Sequence, residues 1–191
     1  MYKYLSGAVL IAIYVSSCWN YSKPGSNGIV YKSPLEYNNY IMARQKKVVE
    51  GISVYTAASQ GDFQKASFEL NKVVGIITDA LKDIHGMSSF DGDSSLKVAA
   101  VDLFSFYKKS FSSDFREMLT ISEKVHDSTI TDADIRQYKN LQDGIAKVES
   151  PLDEKMKESQ VTFAKAHNLK LSDHSIQDKI DNLKSGIKSA N

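Results

Sequence analysis

Apolar positions recur at spacings of three and four along most of this chain and nowhere alternate for long with a period of two. Helices are therefore expected, and no strands. The first stripe is Tyr37, Ile41, Arg44, Val48, Ile52, Tyr55 and Ser59. It follows Ser33-Pro34-Leu35-Glu36, which combines a capping serine, proline at the first helical position and glutamate three residues after the cap. Gln60-Gly61 ends this helix, and Asp62 caps the next. Its stripe is Phe63, Ala66, Leu70, Val73, Ile77, Leu81 and Ile84, closed by His85-Gly86, an imidazole in the last turn with glycine beyond it. Ser88 to Asp93 reads as a loop. A third helix is expected from about Ser94, with Leu96, Ala100, Leu103, Tyr107, Phe111, Phe115, Met118 and Val125 near its inner face, and Phe104 and Phe106 widening the stripe.

Thr131-Asp132-Ala133-Asp134 opens a fourth helix, with threonine as cap and acids in the first turn. Ile135, Tyr138, Leu141, Ile145, Val148, Leu152, Met156, Ser159 and Phe163 continue it to about His167. The stripe stays in phase across Pro151, so a kinked single helix is expected rather than two. A short last helix starts near Ser172, with Ile176, Ile180, Leu183 and Ile187 on one side. Long apolar stripes joined by short loops need one another as cover. The expected fold class is all-α: an antiparallel up-down four-helix bundle over residues 34–191, with the last short helix lying across one end or along a groove.

A different pattern precedes the bundle. Leu5 to Val15 is an apolar run behind Lys3, about half the roughly 20 residues that a spanning helix needs and within the range of a cleaved signal. It ends in Ser16-Ser17-Cys18, and Cys18 is the only cysteine among 191 residues. A basic start, an apolar stretch, small residues and one cysteine resemble the lipobox of bacterial lipoprotein signal peptides. The resemblance implies cleavage between Ser17 and Cys18, lipidation of the Cys18 thiol with fatty acid such as palmitate, and an acylated new terminus. One acyl chain binds a membrane only marginally and two or more hold firmly, at about 0.8 kcal/mol per buried methylene. The expected partner of Cys18 is the lipid bilayer of a bacterial cell envelope. Trp19, in place of the aspartate associated with inner-membrane retention, favours the outer membrane. Residues 18–33 read as the lipidated terminus and a flexible tether, rich in turn and coil formers. Fifteen residues at about 3.3 Å each would hold the domain up to roughly 50 Å from the membrane.

Composition narrows the function. Loss of Lys3 with the first 17 residues reduces the 24 basic residues to 23, which balance the 23 acidic ones. Such a chain lacks the basic face of a nucleic-acid binder. With no second cysteine, the fold rests on packing without an internal disulfide.

No catalytic, cofactor or metal residues are assigned. Glu123-Lys124-Val125-His126 has the Glu-x-x-His spacing of a di-iron bundle once, without a second copy. Asp91-Gly92-Asp93 matches a fragment of a calcium loop but lacks its later glutamate and reads as a turn. No Gly-x-Ser-x-Gly elbow or glycine-rich phosphate loop occurs. Ten tyrosines are present, four of them at Tyr31, Tyr37, Tyr40 and Tyr55, and packing with wet or singly bonded hydroxyls is the simplest role for them.

Three stretches carry a family resemblance. Ser33-Pro34-Leu35-Glu36-Tyr37-Asn38-Asn39-Tyr40-Ile41 opens the domain, Leu103-Phe104-Ser105-Phe106-Tyr107-Lys108 lies in the third helix, and Ser159-Gln160-Val161-Thr162-Phe163-Ala164-Lys165-Ala166-His167-Asn168 closes the fourth. Together they resemble a leptospiral-type surface protein family over roughly residues 33–171. That resemblance implies a helical envelope lipoprotein with no established activity, and it transfers no catalytic residue. The function expected is a non-enzymatic surface lipoprotein that offers its bundle to an envelope or extracellular protein. The alternative is a small-ligand carrier or sensor, with a site between helices where Pro151 opens the packing.

Overall fold

A computed structural model describes residues 23–169. Among them are five helices and no strand: α1 (Pro34–Ala58), α2 (Phe63–His85), α3 (Ser95–Ser112), α4 (Asp114–His126) and α5 (Asp132–Ala166). The last helix expected near Ser172 lies outside the described residues, as do Cys18 and the apolar run before it.

The helix starts follow the expected capping chemistry. The Glu36 amide donates to Ser33 Oγ at 3.2 Å, with Pro34 in the first turn. The Glu36 carboxylate reaches back one residue beyond the cap and accepts from the Lys32 amide at 2.8 Å. Asp62 accepts from the Lys65 amide at 2.9 Å. Thr131 and Asp134 form a full capping box. A hydrogen bond from Lys124, at 2.6 Å, together with those from Thr131, holds the Asp134 carboxyl down at about 2. That contribution to folding is present above the ordinary aspartate value of about 4 and fades as pH falls through about 2.

The packing is of four helices, α1, α2, α3 and α5, around one apolar core. Tyr37, Ile41, Leu70, Ile77, Leu103, Phe104, Phe111 and Phe163 are almost wholly enclosed. Arg44, counted in the inner stripe of α1, is only partly buried. It grips Asp83 of α2 through Nε at 3.0 Å and Nη2 at 2.9 Å, with its guanidinium 3.3 Å from the Tyr40 ring centre. Helices α1 and α5 meet where Gln160 donates to Asn38 Oδ1 at 3.2 Å. Asp102 of α3 pairs with Lys155 of α5 at 2.6 Å.

The long third helix is broken. Ser113 leaves helical geometry at φ −125°, ψ −70°, and its hydroxyl, with one proton to give, lies 3.0 Å from the Lys109 carbonyl oxygen and 2.9 Å from Asp114 Oδ1. Such serine bonds offer the backbone an alternative to the helical ladder, and Ser112-Ser113-Asp114 concentrates residues that form them. Beyond the break α4 turns a different face inward, burying Met118, Leu119 and Ile121 and leaving Val125 exposed. The first half of α5 is also less enclosed than its stripe suggests. Ile135 and Val148 are exposed and Leu141 is half-buried, while Ile145, Met156 and Phe163 are buried. Helix α5 runs unbroken through Pro151, as one element.

Phe163→Ala removes a ring shared by three aromatic neighbours and is expected to cost about 3–5 kcal/mol in chemical denaturation. A loss of about 0.5 kcal/mol, the size of a surface change, would contradict this placement of α5.

Candidate functional site

The segment read as a free tether is, over residues 23–33, part of the fold. Its backbone turns at Gly25 to Gly28, where the Gly28 amide donates to the Gly25 carbonyl at 2.9 Å and Gly28 takes φ +71°. The Asn27 amide then donates to the Gly86 carbonyl, at the end of α2, at 3.1 Å. Two glycines make this approach possible. A Cβ at Gly25 would collide with the Gly86 carbonyl oxygen and lie 2.6 Å from the Ser88 amide nitrogen. A Cβ at Gly86 would lie 2.9 Å from the Asn27 Cβ. Helix α2 ends as expected, with His85 in the last turn and Gly86 beyond it, and because Gly86 has an ordinary φ of −68° its role is clearance for the incoming chain.

Side chains lock this strap. Asn27 donates from Nδ2 to the Tyr31 hydroxyl at 3.1 Å and accepts the Ile29 amide on Oδ1 at 3.0 Å. Tyr31, 2% exposed, meets Tyr37 and Tyr40 edge-on with centroids 5.2 and 5.3 Å apart. Tyr37 lies against Phe90 and Phe163 and donates its hydroxyl to the Ser88 carbonyl at 3.1 Å. His167, at the end of α5, packs on Phe90 and Phe163. Lys97 gathers the carbonyls of His85 and Met87 beneath the strap. Three of the four early tyrosines therefore gather here. Tyr55 sits apart, edge-on to Phe111 and Phe115.

The remaining candidates fall into structural roles. Asp91-Gly92 forms a two-residue turn with φ of +52° and +82°, closed by paired 2.9 Å bonds between Phe90 and Asp93. Asp93 Oδ1 then accepts the Ser95 amide at the start of α3. His126 of the Glu-x-x-His stretch packs on Phe63, with centroids 5.5 Å apart. Among the described residues no group of three potential metal ligands exists, and no helix is long and apolar enough to cross a membrane. Tyr107 donates to Glu149 at 3.0 Å and approaches Asp153 at 3.4 Å, which joins α3 to the middle of α5 near Pro151.

Two open grooves run between α1 and α2, away from Pro151. One, of about 520 Å³, lies at the α1–α2 turn against Val54, Ala57, Gln60 and Lys65. The other, of about 290 Å³, lies between Gly51, Val54, Lys72 and Ile76. Gly51 has no side chain to fill it, and a Cβ there would press on Ile76 at 2.9 Å. Sequence periodicity did not point to these grooves, because their lining is mixed in polarity.

Burial controls the tyrosines. It pushes Tyr31 and Tyr55 up to about 12, and raises Tyr37 and Tyr107 as well, the latter also through the Glu149 and Asp153 carboxylates. A phenol raised above its unfolded value of about 10 supports folding fully below pH 10 and loses that support as pH rises further. These four rings are expected to resist ionisation until the chain unfolds, so their share of the tyrosinate absorbance should appear only as helical circular dichroism is lost, above pH about 10. Tyrosinate appearing for all ten rings while the helices persist would contradict this packing.

No family model, curated protein or solved structure matches this chain.

Proposed function

We propose that this chain is a lipid-anchored protein of the bacterial cell envelope, a non-enzymatic helical domain that serves as an interaction or structural module. The observation that carries the reading is Cys18, a solitary cysteine placed directly after Leu5–Val15 and the small pair Ser16-Ser17. The bundle supports it to the extent that its helices close around one apolar core with no disulfide, since Cys18 is the sole cysteine and stays available for lipid. Trp19 supports the outer membrane as the final site.

The resemblance of residues 33–171 to the leptospiral-type surface proteins belongs to the same proposal. So does an up-and-down order of α1, α2, α3 and α5. Arg44 with Asp83, Asp102 with Lys155 and Tyr37 with Phe163 are the cross-helix pairs that favour that order.

The second reading, a small-ligand carrier, is favoured by the open groove at the α1–α2 turn. A carrier would gain about 2.7 kcal/mol at a hundredfold excess of ligand over its dissociation constant. An interaction module would show no such gain with small molecules.

Cys18→Ser is expected to leave an uncleaved precursor that takes up no labelled fatty acid in a bacterial host. Label entering that variant as in the parent chain would overturn the lipid anchor.

A further inference from the structure

We propose that the strap end of the bundle is the membrane-proximal end, held against the lipid headgroups, and that the α1–α2 turn with its groove faces away from the bilayer. This rests on the reading of Cys18 as the lipidated residue.

The argument is one of chain length and attachment. A free tether from Cys18 to Ser33 would reach roughly 50 Å and let any face of the domain meet the membrane. The strap removes that freedom, because the chain is fastened to the fold from Gly25 onward by the Asn27–Gly86 backbone bond, the facing glycines and the buried Tyr31. Seven residue steps then separate the lipidated residue from the first fixed point, a span of at most about 25 Å. Helix α1, with 25 residues, is about 37 Å long, and α5, with 35 residues, about 52 Å. The spacer is thus shorter than the domain it holds. The strap is fastened where α2 ends, at Gly86, and where α1 begins, at Tyr37. The ends of α5 and of the Phe90 loop lie there too, through Phe163 and His167. Gln60, at the other end of α1, lies about one helix length further from the attachment point and lines the larger groove.

The test uses the full lipidated chain in vesicles of phosphatidylethanolamine and phosphatidylglycerol that carry an energy-acceptor dye on the headgroups. A donor dye is attached through Ser89→Cys, exposed in the strap-end loop, or through Gln60→Cys. The thiol of Cys18 is consumed by its lipid, so the new thiol alone reacts. Strong transfer from position 89 and its loss at position 60 are expected. Equal transfer, as from a bundle lying flat or turning freely, would overturn the orientation, and so would the reverse order. Gly25→Val, which has no room against Gly86, should free the strap and shrink the difference while helical circular dichroism persists. Asn27→Ala offers the same readout with the glycine contact intact, should the valine disturb folding. An undiminished difference in a folded variant of either kind would overturn the role of the strap. Mass spectrometry separates the two levels of failure. A chain without acyl groups overturns the lipoprotein reading and the orientation together, whereas an acylated chain with equal transfer overturns the orientation alone.

Discussion

The burial of Tyr37 is the constraint on which the rest of this architecture depends. It lies in the first turns of α1, yet it touches the incoming strap through Tyr31, the loop before α3 through Phe90 and the end of α5 through Phe163. Its hydroxyl is satisfied by the Ser88 carbonyl, so the ring can be fully enclosed without stranding a polar group. Aromatic pairs in edge-on or offset geometry add roughly 0.5–1.5 kcal/mol each beyond the area they bury. Segments distant in the chain thus meet on one side chain, and the fold closes there without any disulfide.

Much of the helical framework was legible in the residues. Ser33, Asp62 and Thr131 cap where their hydrogen-bonding chemistry dictates, and the α2 stripe from Ala66 to Ile84 is buried, as are Tyr37, Ile41, Val48 and Tyr55 of the α1 stripe. What was not legible depends on competition or on tertiary contact. The break at Ser113 arises because serine hydroxyls compete for backbone carbonyls, while the apolar spacing runs on in phase from Phe111 to Phe115 and hides it. Val125, Ile135 and Val148 keep helical spacing but stand exposed, with no helix among the described residues covering them. The strap was hidden for another reason. Pro24-Gly25-Ser26-Asn27-Gly28 has the composition of coil, and only the surface at Gly86 gives those glycines a docking role. Tyr31 was the available signal, a large ring placed in a stretch otherwise built of small and polar residues.

Several polar side chains among the described residues join one helix to another. Tyr107 bridges α3 to two carboxylates of α5, Arg44 bridges α1 to α2, and Gln160 bridges α5 to α1. The proposed lipid anchor would set where the surface of this bundle is displayed. The strap links the two physically, because it lies between the cysteine and the core.

Amide hydrogen exchange in the native protein tests the central claim most directly. The Asn27 amide, bonded to the Gly86 carbonyl, and the Ile29 amide, bonded to the Asn27 side chain, are expected to exchange as slowly as amides in the interior of α1. Exchange of both at the rate of an unstructured peptide would contradict the account.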